Sequence, residues 1–230
     1  MCSSDLVPYA DIATFFSDAR TLVARGGRPG GFDWVASVNS TTPVAPIALW
    51  AAVLFDPSAP PPPTATLMGG CSTLAQAGQF VDMPYLDYVF LVDTAVNALR
   101  AGANWDRLIK PWINVVLPDA GAQGFVESVL PTLGPQDLSA TTFLVIVPVS
   151  AGRVPPLLRV PASTGWHWVF GLLTNSTLPG PDPVFTANML ARNYRLWQGA
   201  VAVGGTRYLE DAVPFSKADW QTHYGATYDQ

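Results

Sequence analysis

The spacing of apolar positions predicts helices and strands along the whole chain. Over residues 9–25, apolar side chains recur at helical spacing, and Asp11 is placed to cap the first turn. Further helices are predicted over residues 83–101, 121–133 and 182–197. A last helix is predicted to begin after Ser216, which serves as its N-cap and forms a capping box with Asp219.

Runs rich in β-branched and aromatic residues predict seven extended segments: 32–38, 47–55, 111–117, 143–149, 166–173, 200–203 and 206–209. Glycines within residues 26–31 end the first helix, and four consecutive prolines predict an exposed loop over residues 56–64. Several strands follow one another directly. This order favours an α+β fold in which helices cover a mainly antiparallel sheet.

Composition limits the classes of partner. The 230 residues are 49% apolar, which is enough for a substantial core, but only 13% are charged, whereas about 25% is usual. The longest apolar run, residues 43–55, contains a proline and is shorter than the roughly 20 residues that cross a bilayer. With a net charge of −5 and scattered basic residues, the chain is expected to bind neither nucleic acid nor membrane.

The two cysteines predict no zinc site, because Cys2 and Cys71 belong to no CxxC pair or histidine cluster. A disulfide between them is left open but disfavoured, since Cys2 lies at a terminus that is expected to fray. Residues 1–6 lack the pattern of a signal peptide, and we interpret them as a non-native leader. The pattern leaves the cellular location open.

Catalytic motifs are mostly missing from the sequence, which contains no GxSxG elbow and no GxxxxGK[ST] phosphate loop. His167, between two tryptophans, could act as a base, although a hydrogen-bonded structural histidine is the commoner case. Asp87 and Asp93 lie about 240° apart around a helix and do not form an acid–base pair. The eight Trp, eleven Phe and seven Tyr fit a packed core better than a pocket for planar ligands, and both remain open.

Six blocks resemble, in order, the substrate-binding cap domain of FAD-dependent cytokinin dehydrogenases, within the vanillyl-alcohol-oxidase and berberine-bridge flavoprotein superfamily. The blocks are residues 9–18, 32–35, 84–89, 105–118, 143–148 and 204–225. The most specific is Pro-Trp-Ile-Asn-Val-Val-Leu-Pro at 111–118, which is similar to the family's His-Pro-Trp-Leu-Asn-Leu-Phe-Val-Pro. The resemblance implies a ferredoxin-like cap domain over residues 7–203 and a segment, residues 204–230, that returns toward an FAD-binding domain missing from this sequence.

The resemblance also implies site residues. Trp112, Val92 and Leu173 match substrate-pocket positions, Tyr208 matches a tyrosine near the flavin ring, and Asn114 accompanies Trp112 without an assigned role. No catalytic residue and no metal ligand is carried over, since the family's catalytic groups lie in the missing half. The family's two substrate-binding glutamates are replaced by Ala36 and Ala95, which cannot accept a hydrogen bond through their side chains. We therefore expect a more apolar or less basic substrate than a cytokinin.

The function that follows is the substrate-binding part of an FAD-dependent oxidoreductase, with hydride passing from an amine or alcohol carbon to the flavin. The expected partners are a small planar or apolar organic substrate and the missing FAD-binding domain. The isolated chain is expected to be inactive, because none of its residues can take up a hydride. The alternative is a non-catalytic α+β binding module that keeps the cap fold.

Overall fold

A computed structural model describes residues 1–25, 34–39, 47–151, 159–162 and 165–228, with the backbone alone at 3–5 and 34–39. The chain forms two compact units, Met1–Ala103 and Asn104–Gln230. Each unit contains four antiparallel strands together with helices, so the predicted α+β class is confirmed. No helix of the described residues is both long and apolar enough to cross a bilayer.

The first unit contains a sheet of strand order β4-β1-β3-β2. Its elements are β1 (Cys2–Tyr9), α1 (Ile12–Arg25), β2 (Trp34–Asn39), β3 (Ile47–Leu54), α2 (Thr64–Leu67), α3 (Thr73–Gln76), β4 (Val81–Met83), α4 (Tyr85–Val89) and α5 (Leu91–Ala103). The apolar face predicted for α1 is buried, and Asp11 accepts a hydrogen bond of 2.7 Å from the Thr14 backbone N–H, as predicted for a cap.

A buried carboxylate joins α1 to the segment before α3. Asp18 is 3% exposed and accepts hydrogen bonds from the Tyr9 hydroxyl (2.8 Å), the Ser72 backbone N–H (2.8 Å) and the Ser72 hydroxyl (2.5 Å). Burial, together with the bond to Asp18, raises the pKa of Tyr9 far above its usual range. All three of these hydrogen bonds lie within the first unit, and together they offset the cost of burying the Asp18 carboxylate.

The second unit contains a sheet of strand order β6-β7-β5-β8. Its elements are a 3₁₀ helix (Trp105–Arg107), β5 (Ile113–Pro118), α6 (Asp119–Val129), a 3₁₀ helix (Leu130–Thr132), β6 (Phe143–Ser150), β7 (Trp166–Leu173), α7 (Pro183–Ala202), β8 (Thr206–Arg207), α8 (Lys217–Tyr224) and a 3₁₀ helix (Gly225–Thr227). Helix α6 covers one face of the sheet: the Phe125 and Phe170 rings lie 5.3 Å apart, and the Trp168 indole donates to Asp119. The capping box of Ser216 and Asp219 is present at α8, as predicted.

Two predictions about helices are wrong. Residues 200–203 were predicted as extended, but residues 200–202 complete α7 and Val203 is its C-cap. The next residue, Gly204, adopts a φ of 82°, and the Gly205 N–H bonds to the Ala200 carbonyl. The helix predicted over residues 83–101 is two successive helices, because Phe90 ends α4 before α5 begins. The Val81–Met83 segment before them is a strand that pairs with β1.

The amino-terminal residues lie in a sheet and are not frayed. Strand β1 pairs along its length with β3, and Cys2 and Cys71 are both buried and are not joined in a disulfide. The interpretation of residues 1–6 as a leader, and the boundaries at residues 7 and 204, stay predictions. The glycines at 26–31 and the start of the predicted strand at 32–33 lie outside the described residues.

Candidate functional site

The sheet of the second unit has a face that points away from α6 and α7, which we call the open face. On β6, Leu144 and Ile146 are buried toward the helices, whereas Phe143, Val145 and Val147 alternate with them and are half-buried. The antiparallel register shows which residues of the neighbouring strands share this face, although Asn114, Val116 and Gly171 on it are buried. It places the following residues on the open face: Phe143, Val145 and Val147 of β6, Val169, Gly171 and Leu173 of β7, Asn114 and Val116 of β5, and Thr206 of β8.

Trp112 lies at one end of the open face, just before β5. Because Ile113 pairs with Leu172, continuing the register by one residue brings Trp112 beside Leu173. The Trp112 indole N–H donates a hydrogen bond of 3.0 Å to Asn175 Oδ1, and the Trp105 ring lies 6.3 Å away at a tilt of 42°. These contacts create an aromatic and apolar border at this end of the sheet.

Asn114 occupies the centre of the open face, opposite Gly171. A Cβ atom at Gly171 would lie 2.5 Å from Asn114 Oδ1 and 2.7 Å from Val145 Cγ2, so the missing side chain is what allows the Asn114 amide to lie over the strand. The amide donates to the Glu210 carbonyl at 2.6 Å, and the Asn114 carbonyl accepts from the Tyr208 N–H at 3.1 Å. Asn114 thus attaches the segment that carries Tyr208 to β5.

A buried polar cluster lies behind Trp112. Asn193 of α7 is fully buried and donates from Nδ2 to the carbonyls of Pro111 (2.9 Å), Trp112 (3.2 Å) and Ala212 (3.2 Å). Its Oδ1 accepts from the Arg192 guanidinium at 2.7 Å, which in turn pairs with Asp137 at 2.5 Å. The backbone on both sides of the open face, at Trp112 and after Tyr208, is therefore fixed to the same helix.

A second cluster lies beyond Tyr208, on the helix-covered side of the sheet. Arg207 pairs with Asp211 at 2.5 Å, and its guanidinium carbon lies 4.3 Å from the Phe215 ring and 4.8 Å from the Trp220 ring. Burial raises the pKa of Asp211, although Arg207 opposes this shift. Burial, assisted by nearby arginine charges, lowers the pKa of His223 to about 4, so this histidine is neutral at physiological pH.

Four of the five site residues implied by the resemblance lie in the same unit of the structure. Trp112, Asn114, Leu173 and Tyr208 belong to the second unit and to the open face or its border. Val92 lies on α5 of the first unit, where it is 59% exposed. Ala95 lies on the same helix, and the side chain of Ala36 is outside the described residues.

His167 lies at the far end of the open face from Trp112. It pairs with Pro118 of β5 and Val149 of β6, and it is almost fully buried. Burial lowers its pKa, so the ring is neutral, and within the described part of the chain its Nδ1 has no hydrogen-bond partner. Among the described strand residues of the open face, none carries a charge at neutral pH. The described residues also contain no group of three or more His, Cys, Asp or Glu side chains placed to hold a metal ion.

Comparison with known proteins shows the family to which this chain belongs. The model of the family described as "Cytokinin dehydrogenase 1, FAD and cytokinin binding" matches residues 63–230, which is nearly three quarters of the chain. The chain belongs to this family. The resemblance stated from the sequence is thereby confirmed, and all five implied site residues lie within the matched range.

Similar proteins are known from a bacterium and from rice. A protein of Rhodococcoides fascians named "Uncharacterized oxidoreductase ORF5 in fasciation locus" is 28% identical over 146 residues, which are 63% of this chain and 32% of that protein. Cytokinin dehydrogenase 8 of Oryza sativa, in both indica and japonica, is 24% identical over 155 residues, which are 64% of this chain and 29% of the rice protein. The chain spans about a third of the length of these curated relatives.

Sequence reasoning missed the residues that hold the site together. Asn175 and Asn193 gave no signal, because asparagine after a strand or within a helix fits turns and solvated surfaces equally well. Gly171 did give one: a glycine inside an apolar strand indicates a close approach by another group, here the Asn114 amide. The contacts of Asn193 with three carbonyls required the tertiary structure.

Proposed function

We propose that this chain is the substrate-binding part of an FAD-dependent oxidoreductase that oxidises an alcohol or amine carbon of a planar substrate. One observation carries the proposal. Trp112, Leu173 and Tyr208, which the resemblance assigned separately to substrate and flavin, border one sheet face, where the Asn114 amide covers Gly171 at the centre. A planar ring can lie against such a face with its edges against aromatic and apolar groups.

The residues present fit the ring of a flavin better than its diphosphate. Tyr208 is half-buried next to β5 and offers an aromatic ring to a planar group. The described strand residues around Gly171 have neutral side chains, which offer no positive charge to a diphosphate. We therefore assign to this chain the contact between Tyr208 and the ring, and we assign the phosphates to another part of the enzyme. When bound, FAD supplies the hydride acceptor.

The chain's own contribution is to bind and orient the substrate and to exclude water. Trp112 and Leu173 provide apolar contact area on one side, and the indole ring is held by its hydrogen bond to Asn175. The described strand residues of the open face give no counter-ion to a protonated amine, and an unpaired cation is costly to desolvate. The preferred substrate class is therefore an uncharged planar molecule, in line with the alanines at positions 36 and 95.

The test uses the full-length enzyme loaded with FAD, with substrate mixed in anaerobically while the loss of flavin absorbance is followed. The substrates are a cytokinin, as the names of the rice relatives suggest, and the nearly isosteric pair benzyl alcohol and benzylamine. The amine is a cation at neutral pH and the alcohol is uncharged. We expect the alcohol to reduce the flavin faster than the amine does, and Trp112→Ala to lower that rate about tenfold or more, by removing an aromatic contact.

Trp166→Ala is the matched control. Trp166 is a half-buried tryptophan of the same sheet that alternates with the open-face residues of β7. Its replacement is expected to leave flavin reduction unchanged. Equal rates for the wild type and Trp112→Ala would remove Trp112 from the site, and reduction by benzylamine alone would contradict the uncharged substrate class.

A further inference from the structure

We propose that Asn175 is a positioning residue that sets the orientation of the Trp112 indole ring on the open face. The proposal rests on the proposed function for its effect on substrate, since Trp112 is the ring expected to contact it. The bond between Asn175 and the indole itself can be tested without any substrate.

The indole of Trp112 needs an external acceptor to hold one orientation. Trp112 is half-buried and precedes β5, so the strand ladder that fixes Ile113 and Asn114 does not include it. Its backbone is held by Asn193 and by the Ala212 N–H, which donates to the Trp112 carbonyl at 2.7 Å. Those bonds leave the side-chain torsions free, whereas the 3.0 Å bond from Nε1 to Asn175 Oδ1 acts on the ring.

Asn175 is itself held rigidly, as an orienting group must be. It is 1% exposed and lies two residues after Leu173, where β7 ends. Its Nδ2 donates to the Thr141 carbonyl, and its own carbonyl accepts from the Ser139 hydroxyl at 3.3 Å. The amide is thus fixed with its oxygen toward Trp112 and its nitrogen toward the Thr141 carbonyl.

The competing explanation is that Asn175 only stabilises the loop of residues 139–142. Ser139→Ala separates the two explanations, because it removes the hydroxyl bonds to the Asn175 carbonyl and to Thr142 and leaves the indole bond in place. Asn175→Ala removes the side-chain bonds to the Thr141 carbonyl and to the indole, and it keeps the backbone carbonyl that accepts from Ser139. Trp112→Phe keeps an aromatic ring but has no N–H donor.

The first measurement is hydrogen exchange of the Trp112 indole N–H in the full-length protein, assigned by the loss of its signal in Trp112→Phe. We expect Asn175→Ala to speed this exchange about tenfold or more and Ser139→Ala to leave it within about twofold. Unchanged exchange in Asn175→Ala, or equal acceleration in both variants, would overturn the proposal whether or not the enzyme oxidises any tested substrate.

The second measurement is a double-mutant cycle on the KM for benzyl alcohol. Asn175→Ala is expected to raise KM about 3- to 10-fold in the wild type, the effect of one lost hydrogen bond, and to have no further effect in Trp112→Phe. The same increase in both backgrounds would show that Asn175 acts through something other than the indole. Failure of the proposed function gives a different pattern: no flavin reduction in the wild type, with the exchange result unaffected.

Discussion

The space above Gly171 gives the sharpest test of the geometry of the open face. In Gly171→Ala the new Cβ atom would lie 2.5 Å from Asn114 Oδ1 and 2.7 Å from Val145 Cγ2, both too close for real contacts. Asn114 cannot yield freely, since its amide is bound to the Glu210 carbonyl at 2.6 Å. Overpacking costs about 1–3 kcal/mol, and loss of the amide bond adds about 1 kcal/mol. For a chain of this size, a total of about 2–4 kcal/mol lowers Tm by roughly 4–16 °C.

The assay is thermal unfolding followed by circular dichroism, with Gly124→Ala as the matched control. Gly124 is an exposed residue of α6, and a Cβ atom there would meet nothing within 4 Å. That variant should be slightly more stable than the wild type, by about 0.5–1 kcal/mol, because alanine favours helix. Adding Asn114→Ala to Gly171→Ala should recover part of the loss. A Tm for Gly171→Ala within 1–2 °C of the wild type, as a rough margin, would refute the described packing of Asn114 over the strand.

Two further predictions concern buried titratable groups. Because the pKa of His223 is about 4 in the folded state and about 6.5 when unfolded, the unfolded chain binds the proton first, and stability falls as the pH drops from 6.5 to 4. By pH 4 this difference in proton binding lowers the free energy of unfolding by about 3 kcal/mol. Tm should therefore fall less steeply over this pH range in His223→Phe than in the wild type, and parallel curves would contradict the assignment. Asp18→Ala leaves the buried Tyr9 hydroxyl and two half-buried Ser72 donors without their acceptor and should cost about 2–4 kcal/mol in urea unfolding. The exposed cap variant Asp11→Ala should cost about 1 kcal/mol, and an equal or smaller loss for Asp18→Ala would contradict its role.

The fold was predictable where periodicity and local chemistry agree. The apolar face of α1 and the capping box of Ser216 and Asp219 are set by contacts within a few residues, so they could be found from the sequence. The end of α7 could not be placed, because residues 200–203 are apolar enough for a strand, whereas residues 200–202 continue the helix and Val203 is its C-cap. Strand β1 was missed because its pairing partners are distant in sequence.

The site was predictable in its aromatic residues but not in what positions them. Trp112 and Tyr208 lie in blocks that resemble a known family, and the structure links both to β5. The acceptor for the Trp112 indole, Asn175, comes from a different strand end 63 residues away, and its identity alone carries no sign of that role. The role of Asn193, on α7, could not be predicted from the sequence either, because its side chain bonds to backbone carbonyls that any residue could supply.

The central claim is that a planar, uncharged ligand lies on the open face of the second unit. A crystal structure of the full-length enzyme with FAD and benzyl alcohol tests this most directly. We predict the ligand ring on the open face against Trp112 and Leu173, with Tyr208 against the flavin ring and the indole of Trp112 still bonded to Asn175. A ligand bound on the α6 and α7 side of the sheet, or a flavin that does not contact Tyr208, would contradict the account.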